Sequence, residues 1–403
     1  MGASRSTTAN NVSDPVSTSE NKANSTSSTA SSRLGHHSKT CRILACVGVR
    51  APELPPPHPL ATRLAAAKRE RVRQQRSGQA YRRLVADAQA KVPQHVIQQI
   101  SLDVPRTLSA LPSPHGYWVW PMPETSSSAA AKMEQAPQEL LSRLLLAHEY
   151  RAICKAEEEG FRTTYVQGVN LLAAMCVGFA GGREEDAYWL LLYLTEDVMG
   201  HDFFAESPAL MGYQGDRAAV AALVAAEAPR ITALLGPRGL AEAVSLLAAR
   251  CFLSGFVGCL ADGPLVCFWE ELLQKRCVAY PRFPLLHWLV GLIVSVEDEL
   301  VELASGLSAC EVGPLFFRRV QQAGLLLPDG WRPSFRVSVQ RVAQLKQLAD
   351  EASDKYKQSF NVQQERETRV KLVTESLDRT SAKFLDVMQS AKALGALGPA
   401  ASS

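Results

Sequence analysis

The sequence has no marked excess of charge of either sign. Its 403 residues hold 43 Lys and Arg against 40 Asp and Glu, a net charge of +3. That balance argues against a polyanion binder, and so against nucleic acid as a partner. Long apolar runs are also missing. The longest uncharged stretches, near 170–182 and 285–296, fall short of the ~18–20 residues a spanning helix needs, so they read as buried helices. Paired cysteines are missing too. The nine cysteines are odd in number, scattered, and form no C-x-x-C, which excludes a disulfide framework or a zinc-finger arrangement and fits reduced thiols in a cytoplasmic protein. There is no H-E-x-x-H, G-x-S-x-G, Walker loop or G-x-G-x-x-G, so the usual signatures of zinc hydrolases, α/β-hydrolases, P-loop NTPases and dinucleotide-binding folds are absent. No resident metal or cofactor is expected.

What is present divides along the chain. Residues 1–50 open with a low-complexity segment in which Ser and Thr fill 17 of the first 40 positions. With so few large apolar groups it reads as disordered. Its first residues, Met1-Gly2-Ala3-Ser4-Arg5-Ser6, fit the pattern for N-myristoylation at Gly2. One acyl chain holds a membrane only marginally, so a second signal would be needed. The basic stretch over 63–83, with Arg63, Lys68, Arg69, Arg71, Arg73, Arg76, Arg82 and Arg83 against Glu70 alone, is a candidate surface for anionic lipid. An ordinary solvated helix is the plainer alternative. Residues 51–89 are expected as a Pro-rich linker followed by this basic helix.

From about residue 90 to 332 the pattern is helical almost throughout. Apolar residues recur at three- and four-residue spacing over 92–102, 138–159, 168–180, 184–198, 217–235, 240–260, 264–275, 284–303 and 312–323. The gaps hold Gly or Pro, and residues 111–137 are expected as a long loop. Residues 335–394 contain neither Gly nor Pro and carry a heptad register from Val342 and Leu345 to Ala391 and Leu394. Its seam is polar at Ser359, Gln363 and Arg366. A long helix with two apolar patches is expected there, available for a coiled coil, for self-association or for folding back on the domain. The fold class is all-α and multi-helical.

Two short strings stand out. In Ile100-Ser101-Leu102-Asp103-Val104-Pro105-Arg106-Thr107, Asp103 and Arg106 are three apart, so the carboxylate can aim the guanidinium. A surface ion pair near a helix boundary reads equally well. In Tyr165-Val166-Gln167-Gly168-Val169-Asn170, a Gln beside a Gly at a helix start can project its amide while the backbone comes close to a ligand. A solvated helix start is again the plainer reading.

Taken together and in this order, I-x-x-D-x-x-R followed by Y-x-Q-G resembles the paired signature of the TBC-domain family, the GTPase-activating proteins for Rab GTPases. The wordings LDVPRT and TYVQGVN are similar to the family's. So are 184–204, the region around Gly212, Asp216 and Pro229-Arg230, and Phe268-Trp269-Glu270-Glu271-Leu272-Leu273, with Glu270 where the family has Asp. The resemblance spans about 90–330. It implies a TBC-type helical domain that accelerates GTP hydrolysis by a Rab and so regulates membrane trafficking. In it, Arg106 would be an arginine finger and Gln167 a glutamine finger. Asp103 would position Arg106, Tyr165 and Gly168 would shape the turn presenting Gln167, and Ile100 would complete the first string. Magnesium and GTP would arrive with the Rab. The chain would be a catalytic activator rather than an enzyme with its own substrate, cytoplasmic or peripheral on endomembranes. The alternative is a non-catalytic helical scaffold that binds a small GTPase through the same surface.

Overall fold

The computed structural model of the chain describes residues 57–74, 80–110, 130–159, 163–274, 277–307 and 309–395. The expectations for the tail over 1–50, for Gly2 and for most of the loop over 111–137 lie outside these residues. Within them the fold is all-α, and the only β pairing is an isolated bridge between Thr163 and Ala205.

The chain first becomes helical at α1 (Pro59–Arg73), with proline in the first turn, where its missing N–H leaves no bond unmade. Ala61, Ala65, Lys68 and Val72 recur every three or four residues and form the buried face. That face packs on α6 (Glu184–Leu192). α2 (Tyr81–Lys91) buries Tyr81, Leu84 and Ala88 against α4 (Ala130–Glu159). The two helices that fall in the segment 51–89, expected as linker and basic helix, each pack one face on the domain. Part of the basic stretch is paired, while Arg63, Arg73, Arg82 and Arg83 are exposed. Lys68 Nζ lies 2.5 Å from Glu196 and 3.0 Å from Asp197, and Arg71 grips Asp197 with two bonds of 3.0 and 3.1 Å. Both acidic partners belong to a π-helical segment, Tyr193–Met199, that continues α6.

Two short helices are apolar all round, α5 (Val169–Phe179) and α10 (Phe283–Ser295), and both are buried almost completely. A helix without a polar face has to be buried, and α5 packs against α4 and α6. α7 (Met211–Glu227) ends at Ala228 because Pro229 follows, disfavouring helical geometry in the residue before it. The expected helix over 217–235 is thus two helices. α8 (Pro229–Leu253) bends at Gly236, with φ +66°, ahead of Pro237. Among the described residues, α8 is the one helix long and apolar enough to cross a membrane. Ile231, Val244, Leu247 and Phe252 on it are buried in this domain, while Leu246 is exposed. α9 (Asp262–Gln274), α11 (Glu297–Leu303) and α12 (Ala309–Leu325) complete the body.

A buried clasp joins α7 to the start of α10. Arg282 donates to Asp216 from Nε at 2.7 Å and to Asp202 from Nη1 at 3.0 Å, and Tyr280 donates to Asp216 at 2.7 Å. The last helix, α13 (Val339–Gly395), is 57 residues long. Its first half buries Val342, Leu345 and Ala349 on α7.

Candidate functional site

The first string lies on α3 (Gln94–Ala110). Val96, Ile100, Val104 and Thr107 form a buried stripe, and Asp103 is buried beside them at 1% exposure. Pro105 and Arg106 are exposed. Pro105 has no N–H for the carbonyl of Ser101, but Ser101 is itself exposed and water can serve it. The helix therefore runs through the proline, and Arg106 sits inside its last turns rather than at a boundary.

The second string is a connecting arm that ends in α5. Thr164 N–H donates to Phe204 O at 3.2 Å, next to the Thr163–Ala205 bridge. Tyr165 then turns inward, Gln167 is exposed and Gly168 is buried. Gly168 has φ +117°, and a Cβ there would lie 2.5 Å from the carbonyl oxygen of Leu253, at the end of α8. The arm can pass that carbonyl only as glycine.

The two strings are bonded to one another on both sides of the exposed pair. Before Gln167, the Tyr165 hydroxyl donates to Asp103 Oδ2 at 3.0 Å. Gln99 Nε2 donates to the same oxygen at 3.0 Å. After Gln167, the Gly168 N–H donates to Asn170 Oδ1 at 2.8 Å, and Asn170 Nδ2 donates to Thr107 Oγ1 at 2.7 Å. Thr107 Oγ1 in turn donates to Asp103 O at 2.8 Å. Burial and the adjacent Asp103 carboxylate hold the Tyr165 phenol well above its usual pKa, so it stays a donor. Arg106 lies three residues from one anchor and one from the other. Gln167 lies two residues after Tyr165 and one before Gly168. Arg106 and Gln167 are thus exposed residues of two elements that are hydrogen-bonded to one another close by.

Ile100 is a core residue, with no polar atom to offer. Asp103 is directed at the arm, through Tyr165. Thr107, Asn170 and Gln99 were not singled out in the sequence. The available signal was Asn170, a polar residue opening an otherwise apolar helix.

Behind Thr163 is a small cavity of about 20 Å³, lined in part by His148, Arg151, Lys155, Glu196 and His201. Burial alone would raise the Glu196 carboxyl, but Lys68, Lys155 and Arg151 overcome it and hold the pKa near 2. Burial lowers His148 to about 4, against a smaller upward pull from Glu196.

A family model described as Rab-GTPase-TBC domain matches residues 60–301, more than half of the chain. TBC1 domain family member 2A of Homo sapiens is 26% identical over 184 residues, which is 46% of this chain and 18% of that protein. Growth hormone-regulated TBC protein 1 of Rattus norvegicus is 30% identical over 111 residues, 28% of this chain and 36% of that protein. These matches cover well under two thirds of either relative. Among solved structures, a Chlamydomonas flagellar RabGAP TBC domain aligns with 80% of this chain and 86% of that chain, at 18% identity and a TM-score of 0.44. The match over 60–301, which takes in both strings and the helices that carry them, makes this chain a member of the Rab-GTPase-TBC domain family.

Proposed function

We propose that the chain is a GTPase-activating protein for a Rab-family GTPase and that Arg106 and Gln167 are its two catalytic side chains. Hydrolysis by a small GTPase alone is slow. Charge developing on the transferring phosphoryl oxygens is poorly stabilised and the attacking water is poorly held. Arg106 supplies the first missing part, a permanently charged planar fork that can bond two phosphate oxygens. Gln167 supplies the second, a carboxamide that both donates to and accepts from a water and so fixes its direction. Asp103 and Tyr165 act on both from beneath, by tying the helix of one to the arm of the other. Magnesium and the nucleotide come with the GTPase.

The observation that carries this reading is the exposure of Arg106 and Gln167 on two elements cross-bonded on either side of them. A protein that only bound a GTPase would need neither side chain. The test is phosphate release under single-turnover conditions across a panel of GTP-loaded Rabs. The wild type is expected to accelerate hydrolysis by at least one. Arg106→Ala is expected to cost about 10³-fold of that acceleration. Gln167→Ala is expected to cost about 10²-fold, as removal of one preorganised polar group does. Full activity in both variants would overturn the two-finger assignment. Binding without acceleration by the wild type would favour the scaffold reading.

A further inference from the structure

Asn170 and Thr107 belong to neither proposed finger, yet together they form the second bridge between the two. Asn170 is 5% exposed and Thr107 1%, so no solvent competes for their bonds. The Asn170 carboxamide is used at both ends. Its oxygen accepts the Gly168 N–H at 2.8 Å, and its nitrogen donates to Thr107 Oγ1 at 2.7 Å. The Thr107 hydroxyl passes the link to the α3 backbone at Asp103 O, 2.8 Å away. Gly168 is the residue after Gln167, and Thr107 is the residue after Arg106.

The two bridges differ in where they attach. Tyr165–Asp103 joins side chain to side chain upstream of Gln167 and leaves Gln167 free to swing about that point. The Asn170 bridge takes hold of the backbone amide immediately downstream. With both in place, the short run from 165 to 168 is fixed at its two ends to one turn of α3.

We infer that Asn170 and Thr107 are positioning residues, a polar strut that sets the spacing and orientation of Gln167 relative to Arg106. This rests on the activator reading above. The strut does not touch the nucleotide. It acts by keeping a two-group constellation at the separation an in-line attack requires, where misplacement of about 1 Å can cost about 10²-fold in rate. The amide at 170 meets both needs, since its oxygen accepts at one end and its nitrogen donates at the other. Aspartate would lose the donor and bury a charge, and leucine would lose both bonds.

The test compares the wild type with Asn170→Ala, Thr107→Val and Thr107→Ser, using the GTP-loaded Rab that the wild type activates most strongly. Asn170→Ala and Thr107→Val are expected to lower the maximal hydrolysis rate about 10²-fold. The half-saturating concentration for the Rab should change by less than about twofold, because the contact surface is untouched. Thr107→Ser, which keeps the hydroxyl, is expected to retain most of the rate even where Thr107→Val loses it. Hydrogen–deuterium exchange over 163–170 supplies a readout independent of activity. The Gly168 amide should exchange faster in Asn170→Ala than in the wild type. If Arg106→Ala and Gln167→Ala are inactive while Asn170→Ala and Thr107→Val keep full rate, the strut is refuted and the activator reading stands. A loss carried entirely by weaker Rab binding, or equal rates for Thr107→Val and Thr107→Ser, would refute it as well. If the wild type activates no Rab, both readings fall.

Discussion

Gly168 lacks a side chain for two separable reasons, and they predict different consequences. Its φ of +117° is a backbone region that L side chains rarely adopt, and its Cβ position is occupied by the Leu253 carbonyl oxygen at 2.5 Å. Gly236 shares only the first reason, with φ +66° and nothing within 4 Å of a Cβ. Gly236→Ala is therefore expected to cost about 1 kcal/mol and to leave GTPase activation unchanged. Gly168→Ala is expected to cost about 2 kcal/mol or more, lowering Tm by about 4–8 °C. It should also abolish activation, because the arm has to leave Leu253 and takes Gln167 with it. Thermal unfolding and single-turnover hydrolysis on the two variants check this. Equal effects at both positions would mean that strain alone, and not the close approach, explains Gly168. Arg106 and Gln167 stand out in the sequence because their two strings, taken together, resemble a family signature. Asn170 and Thr107 lie in the same strings, but their partnership could not be read there. Their bond joins positions 63 apart, and nothing in local periodicity encodes such a partner.

At the scale of elements, the same limit explains α1. The local sequence shows a run of Arg and Lys with few acids, and the ion pairs of Lys68 and Arg71 cannot be read from it. Its acidic partners, Glu196 and Asp197, lie some 126 to 128 residues away on the π-helical segment. The apolar periodicity of the remaining helices is local and was legible, apart from breaks set by single residues such as Pro229. The junction of α1 with the π segment makes stability depend on pH in a stated direction. Glu196 is held near pKa 2, below its ordinary 4.5. Its contribution is complete above about pH 4.5 and drains as pH falls towards 2, on the order of 3 kcal/mol in all. His148, lowered from 6.5 to about 4, favours the folded state above pH 6.5 and loses that contribution as pH falls towards 4. Acid should therefore weaken the fold in two successive windows. In Glu196→Gln, Lys68, Lys155 and Arg151 lose their shared anion. Its Tm is expected to be lower than wild type at pH 7 and to change less than wild type between pH 4.5 and 3. Thermal scans across that range decide the matter. Parallel curves for the two proteins would show that the carboxylate is not the acid-sensitive element.

For the whole molecule, α13 marks where the domain stops. The heptad register continues unbroken through it, but burial does not. Val342, Leu345 and Ala349 lie against α7, and the approach is close enough that a Cβ on Gly215 would meet Ser353 Oγ at 2.2 Å and Ala349 O at 2.3 Å. Ser353 Oγ also donates to Met211 O at 3.1 Å. Further along, Val362, Val370 and Val373 are 66, 60 and 59% exposed. The polar middle of the register, at Ser359, Gln363 and Arg366, coincides with this change. One helix thus serves as a domain element in its first half, while Val362, Val370 and Val373 further along are exposed. Deleting 360–403 is expected to leave Tm within about 2 °C of wild type, since little of the domain's core is lost. Deleting 339–403 uncovers α7 and removes the burial of Val342, Leu345 and Ala349, a loss of about 5 kcal/mol. That is a large share of the 5–15 kcal/mol typical of folded domains, so this variant is expected to be poorly folded at 37 °C. Sedimentation velocity on the full chain and the 360–403 deletion then locates self-association. A dimer in the full chain that is absent from the deletion places the interface on the exposed half. A dimer surviving in both would place it on the domain and leave the exposed valines without a role in self-association.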